Sequence, residues 1–331
     1  MKNALLEGLG GPVGRYARPA GLWFDPLPWS LLVATVLFVV CSLRQIPCVQ
    51  TSETVRVNAF IVLCYSDVPL AWNSSGFAFG AHPLDGGQMQ YPPLLGLLLF
   101  VVIGISGLLG APVGKSLGVQ AQLDGSQVFY AVCMVLLFAC FLLWVLCQTF
   151  MGRDSRGGRY RSWDGMWLAA SPVVLASGLV SWDLFAVSLA ALGLLLFSKG
   201  RLVLSGVVLG LAVCAGLMAI AVVLAVALAV VLRGRAGQVG KFLGAAAATV
   251  ALLHLPLLIL NWEAVARYYQ GEATKNLSYG SLFYLGKLFG WEGRAAGSLG
   301  LMLTALLLVI VAAWLYLRGH RPRVGTLVVL F

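Results

Sequence analysis

Eight apolar stretches, each close to the length that crosses a bilayer, constrain this chain more than any other feature. They lie at 27–46, 92–111, 127–150, 165–180, 184–198, 202–232, 242–260 and 298–317 of 331 residues. A hydrocarbon core takes roughly 20 helical residues to cross, and within it each segment must satisfy its own backbone polar groups. The chain is therefore read as an all-α polytopic membrane protein. Composition agrees: 60% of residues are apolar and 10% charged, far from the soluble pattern of roughly half and a quarter. That excludes an ordinary cytoplasmic globular domain, and with it disorder, collagen, a coiled coil and a small disulfide scaffold. The 22 Lys and Arg exceed the 12 Asp and Glu. No run of them is interleaved with base-stacking aromatics, so no nucleic-acid partner is expected and the excess is read as topology.

Gly, Pro and Arg fill residues 1–26, so no cleavable signal peptide is expected and this segment is placed in the cytoplasm. Residues 27–331 then form one transmembrane domain. Four basic clusters are assigned to cytoplasmic loops: Arg153, Arg156, Arg159 and Arg161; Lys199 and Arg201; Arg233, Arg235 and Lys241; Arg318, Arg321 and Arg323. Residues 47–91 hold one basic residue, Arg56, and three acids, while 261–297 is balanced and rich in Tyr, Asn, Ser and Gly. These are the two outer-face loops. Seven segments lie between them if 202–232 crosses twice, and an even number is required. One segment must be re-entrant or half-length, either 165–180, broken by Pro172, or the stretch around Gly216. Residues 323–331 read as the entry to another span with nothing to complete it, so the chain is expected to be truncated at its C-terminus.

Cys133, Cys140 and Cys147 recur at seven-residue intervals, and Cys41 and Cys214 lie in apolar helix. All five are read as packing residues. Cys48 and Cys64 are the two cysteines of the outer loops and enclose a short segment, which an oxidising compartment would close as a disulfide. That bridge would brace the run Tyr65-Ser66-Asp67-Val68-Pro69. Asp67 stands just outside a span between aromatics, where a carboxylate can act as a general base on a substrate held at the interface. An acid before Val-Pro also begins a turn, so a capping role stays open. Asp183, in Ser181-Trp182-Asp183-Leu184, is a membrane-embedded acid or the N-cap of the next helix. His254 beside Pro256 is read as an interhelical hydrogen bond, since no second His or Cys stands at ligand spacing, and no metal site is expected. Arg267-Tyr268-Tyr269 and Tyr279-Gly280-Ser281 line a sugar site or mark the interfacial aromatic belt.

Several of these features occur in one order. A Gly-rich N-terminus runs into Trp29; Cys48 and Cys64 follow, then Cys64-Tyr65-Ser66-Asp67-Val68-Pro69, Gln90-Tyr91-Pro92-Pro93, Ser171-Pro172 with Trp182-Asp183, and Gly280-Ser281. The ordered set resembles actinobacterial glycosyltransferase family 87 over nearly the whole chain. The resemblance implies a GT-C-like helix bundle at the plasma membrane with its active site facing outward. It implies a mannosyltransferase that takes its sugar from a polyprenyl-phosphate donor and passes it to a glycolipid or lipoglycan of the cell envelope. Donor, acceptor and membrane lipids are then the partners, with no further cofactor. Asp67 becomes the catalytic base, and Tyr65, Ser66, Tyr91, Trp182, Asp183, Arg267, Tyr279 and Ser281 become substrate-binding candidates. Arg267, Lys275 and Lys287 are the cations to meet the leaving phosphate.

Two departures from the family pattern stand out. The family tends to carry a Lys within the stretch matching 209–219, where this chain reads Cys214-Ala215-Gly216-Leu217-Met218, and an acid before Tyr-Pro where this chain has Gln90. The family also continues through further spans. A noncatalytic relative is thus one rival reading. A transporter or lipid flippase is another, although it predicts an internal repeat that the two halves do not show.

Overall fold

The computed structural model describes residues 25–52, 57–83, 91–154, 163–273, 289–290 and 293–317. Within these the chain is helical, without a strand. Helix α1 (Pro26–Val49) begins on Asp25, whose carboxylate accepts from the Leu27 N–H at 3.1 Å. It is followed by the short α2 (Asp67–Ser74), α3 (Pro93–Leu108) and the long α4 (Val119–Asp154). Two short helices, α5 (Asp164–Ala169) and α6 (Pro172–Ser177), lead to α7 (Asp183–Ser198), α8 (Leu202–Ala215) and α9 (Ala219–Leu232). Then come α10 (Ala236–Ala273) and α11 (Gly293–Leu317). α1, α4 and α10 each contain a stretch long and apolar enough to cross a membrane. The shorter α7, α8 and α9, at 14 to 16 residues, measure about 21 to 24 Å. The chain is an all-α membrane protein.

The two ends of the bundle differ in charge. At one end the Lys199 ammonium lies 5.6 Å from the Phe150 ring centroid, and the Arg233 guanidinium 5.5 Å from that of Phe197. Asp67 and Asp183 lie at the other. Arg156, Arg159, Arg161, Arg318, Arg321 and Arg323 fall outside the described residues.

The two segments that sequence singled out and α3 run differently in the bundle. Residues 164–177 run the full way as a broken pair: Gly165 packs on Thr149 near the basic end, and the Ala176 carbonyl accepts from Arg44, near the far end of α1, at 2.9 Å. α8 and α9 pass up and down around Gly216. The exception is α3, expected as a crossing span over 92–111. Tyr91 at its entry bonds Ser75 (Oη to Oγ, 2.9 Å), and the Phe100 ring at its middle meets that of His82 at a tilt (centroids 5.5 Å apart). After its end, the Gly114 N–H donates to the Ala78 carbonyl at 3.0 Å. Three points along α3 and its following loop thus touch one short stretch, 75–82, so α3 keeps to the Asp67 end of the bundle. Apolar content alone cannot tell an embedded lateral helix from a span, because both shed water from the same residues. Besides α3, the described residues before Asn261 form six helical lengths from α4 onward: α4, the α5–α6 pair, α7, α8, α9 and the first limb of α10.

Helix packing at the centre depends on small residues. A Cβ added at Gly206 would lie 2.5 Å from the Phe242 carbonyl oxygen, and one at Gly210 2.7 Å from that of Ala246. The spacing Gly206-x-x-x-Gly210 brings the α8 and α10 backbones together, as small residues do within membranes. Cys41, Cys133, Cys140, Cys147 and Cys214 are buried free thiols, consistent with packing roles.

Candidate active site

Asp67 is fixed by its neighbours on both sides. The Ser66 hydroxyl accepts from the Val68 N–H at 3.2 Å, capping α2, and donates to the Leu179 carbonyl at 2.6 Å. The Asp67 N–H donates to the Val180 carbonyl at 2.8 Å. These bonds tie the start of α2 to the segment entering α7, more than a hundred residues later. Asp67 and Asp183 therefore open on the same space. Ser66 itself is buried and holds backbone; the structure gives it a capping and tethering place and not a substrate-facing one.

Each acid has a short local partner. The Tyr65 hydroxyl donates to Asp67 Oδ1 at 2.5 Å, and the Ser181 hydroxyl to Asp183 Oδ2 at 2.5 Å. The bond to Asp67, helped by burial, pushes the Tyr65 hydroxyl above its usual pKa and keeps it a donor. Asp67 Oδ2 takes no hydrogen bond from the described residues. Burial likewise raises Tyr91, whose hydroxyl pairs with Ser75 while its ring meets Trp182 edge-on at 5.4 Å.

These groups line a cavity of about 900 Å³. Its walls are α2 with Asp67 and Ser74, the entry to α3 with Tyr91, and α7 with Trp182 and Asp183. The Ala215–Ala219 bend between α8 and α9 and the far part of α10 complete it. α10 is two limbs: Asn261 has φ −158° and ψ 79°, and its side chain caps the second limb by accepting from the Ala264 N–H at 3.0 Å. The second limb folds back, so the Tyr269 hydroxyl reaches His254 Nε2 at 2.5 Å. His254 Nδ1 meets the Val250 carbonyl at 2.8 Å, which leaves Nε2 as the acceptor.

That fold-back brings Tyr268 and Glu272 into the cavity wall, and Glu272 is a third carboxylate that sequence reading missed. The signal was the i, i+4 spacing of Tyr268 and Glu272, which sets them on one helix face. Arg267, favoured from sequence, is turned off that face; it is exposed and its Nε donates to the Glu263 carbonyl at 3.3 Å. No Lys or Arg stands among the described lining residues. Tyr279, Ser281, Lys275, Lys287 and Gln90 lie outside the described residues.

Cys48 and Cys64 are joined as a disulfide, one residue before Tyr65. Closing a loop of this length contributes about 3 kcal/mol by chain entropy. Replacing both with Ser is expected to leave the bundle folded while exposing 49–63 to limited proteolysis; unchanged cleavage rates would show that the loop is held without the bond.

Residues 90–331 match the family model of glycosyltransferase family 87. The chain belongs to this family. No curated protein and no solved structure matches it. The matched region of this family 87 glycosyltransferase includes Tyr91, Trp182, Asp183, Tyr268 and Glu272, and starts after Asp67 and the disulfide. The cavity is thus shared between matched helices and a segment that precedes them.

Proposed function

We propose that the protein transfers a mannosyl or related residue from a polyprenyl-phosphate sugar to a glycolipid or lipoglycan of the cell envelope. The reaction takes place in the Asp67 cavity, on the outer face of the plasma membrane. The observation that carries this reading is Asp67 itself: its Oδ1 accepts from Tyr65, and the residue lines a cavity large enough for a sugar. The basic residues at the opposite end support the outward orientation.

The chemistry follows from one placed carboxylate. Asp67 Oδ2 accepts the proton of the acceptor hydroxyl as its oxygen bonds to the anomeric carbon. The bond from that carbon to the phosphate oxygen breaks, and polyprenyl phosphate leaves with the electron pair. A single displacement inverts the anomeric centre. It needs one carboxylate, in contrast to glycoside hydrolysis, which normally uses a flanking pair. The leaving group is already anionic and calls for positive charge or hydrogen-bond donors. Lys275, three residues beyond Glu272 in the chain, and Lys287 are the candidates for that role; Arg267, turned away from the cavity, is not.

The direct test is transfer from a radiolabelled polyprenyl-phosphate mannose donor to membrane lipid, in cells lacking the host activity. Labelled glycolipid above the vector control supports the reading. No transfer at full membrane abundance overturns it and favours a noncatalytic relative. Tyr65→Phe, which removes the donor to Oδ1 but keeps the ring, is expected to lower transfer about tenfold through misorientation of the base. A variant equal to the parent would show that Asp67 is positioned by its backbone alone.

A further inference from the structure

Four consecutive large apolar side chains stand out of the protein just before the site. Phe60, Ile61, Val62 and Leu63 are 72%, 79%, 44% and 73% exposed. A surface in contact with water seldom carries such a run, so a partner of apolar chemistry is implied. The run is built, not loose. Asn58 Oδ1 accepts from the N–H groups of Phe60 and Ile61 at 3.1 and 3.3 Å, the Val62 N–H returns to the Asn58 carbonyl at 3.1 Å, and the Cys64 N–H to that of Ala59 at 3.0 Å. Leu63 takes φ +58°, a left-handed conformation that side-chain-bearing residues avoid. It points its side chain outward while Cys64, next to it, is fully buried.

The position of this turn identifies what covers it. Cys64 is bonded to Cys48 in the last turn of α1. On α1 the exposed residues Leu32, Val36, Val39, Leu43 and Ile46 form one stripe at helical spacing. In a spanning helix that stripe faces lipid. It runs to Ile46, in the last turns of α1 beside Cys48, so the disulfide holds the exposed turn at the level where the lipid-facing stripe ends. A charged or polar partner would leave the four side chains unmatched, and a position tied to the last turn of a helix long and apolar enough to cross a membrane favours lipid over a second protein.

We propose that the turn formed by residues 58–64 is a membrane anchor that inserts into the interfacial zone of the leaflet on the cavity side. Its occupant is the acyl region of that leaflet. Phe60 stacks on Tyr65 with ring centroids 5.0 Å apart and planes at 16°, and Tyr65 holds Asp67. The anchor thereby steadies Asp67 at the depth of a lipid-borne substrate. The anchoring rests on the membrane placement given above, and its link to Asp67 rests on the proposed transferase chemistry.

The test uses the full chain in phosphatidylcholine vesicles, with an environment-sensitive nitrobenzoxadiazole label on Ile61→Cys. The free cysteines among the described residues are buried. Ser116→Cys, exposed beside the exposed Lys115 in the loop whose Gly114 bonds Ala78, gives the aqueous reference. Spin-labelled lipid is expected to quench the Ile61 label about threefold more than the Ser116 label, and aqueous iodide the reverse, as for an interfacial side chain. Equal behaviour of the two labels overturns the anchor. A label shielded from both quenchers also overturns it, since protein would then cover the turn. Val62→Cys, read the same way, serves where Ile61→Cys fails to accumulate. Repeating the measurement in an Asp67→Asn background separates the two proposals: quenching that persists without transfer supports the anchor whatever the fate of the chemistry.

Discussion

Asp67→Asn is expected to lower sugar transfer about 100- to 10,000-fold, the range associated with a positioned acid or base, at unchanged membrane abundance. The substitution is close to isosteric. The backbone bond to Val180, the Ser66 cap and the Tyr65 contact all survive it, since an amide oxygen still accepts from the Tyr65 hydroxyl. What is lost is the capacity of Oδ2 to take a proton. Asp183→Asn is the necessary companion, because Asp183 opens on the same cavity with a comparable partner in Ser181. If Asp67 is the base, Asp183→Asn reduces transfer by about tenfold, as loss of a substrate contact does. If instead the large loss falls on Asp183, the roles are exchanged and Asp67 becomes the positioning group. Glu272→Gln belongs in the same series, because Glu272 lines the same cavity from α10 and is the remaining carboxylate among the described lining residues. Transfer from the radiolabelled donor, normalised to protein in the membrane, reads all three.

The helices were legible in the sequence because apolar runs of near-spanning length have few other fates. Their ends were less so. The stretch 202–232 showed its double pass through Gly216, but α3 looked like any other span, and only its contacts with Ser75, Ala78 and His82 reveal that it lies along one end. Local sequence records how much water a segment avoids, not the direction in which it runs. The site shows the same division. Asp67 and Asp183 were visible as acids with no business in apolar surroundings, and Tyr91 and Trp182 through the resemblance. Their convergence depends on the Ser66 and Asp67 bonds to 179–180, which no local pattern announces. Glu272 was hidden by the reversal at Asn261, since a straight helix would have carried it far from Asp67. Arg267 drew attention by its charge, one helical position away from the face that matters.

The second large effect concerns stability, and its sign opposes helix propensity. Gly206→Ala and Gly210→Ala each replace the poorer helix former by the best one, a change worth about 1 kcal/mol in favour of an exposed helix. Both are nevertheless expected to destabilise the protein. The new Cβ would stand 2.5 Å from the Phe242 carbonyl oxygen or 2.7 Å from that of Ala246, and neither atom is the tip of a flexible side chain. The α8 and α10 backbones must move apart, opening the contacts around Phe242, which is fully buried. Overpacking of this kind costs about 1 to 3 kcal/mol per site, and the Gly206→Leu, Gly210→Leu double variant about 2 to 6 kcal/mol if the sites add. Gly244→Ala on α10 is the control, because nothing lies within 4 Å of its added Cβ; there the propensity gain should appear undiminished. Thermal unfolding in detergent, followed by tryptophan fluorescence, is expected to fall for the first two and to hold or rise for the third. Equal responses at Gly206, Gly210 and Gly244 would mean that α8 and α10 do not approach this closely. The consequence reaches the active site, since α8 ends at Ala215 and Gly216 in the cavity wall, and the first limb of α10 leads to the one that carries Glu272. Separating the two helices would therefore move two walls of the cavity at once, and transfer should fall in the glycine variants even at temperatures where they remain folded.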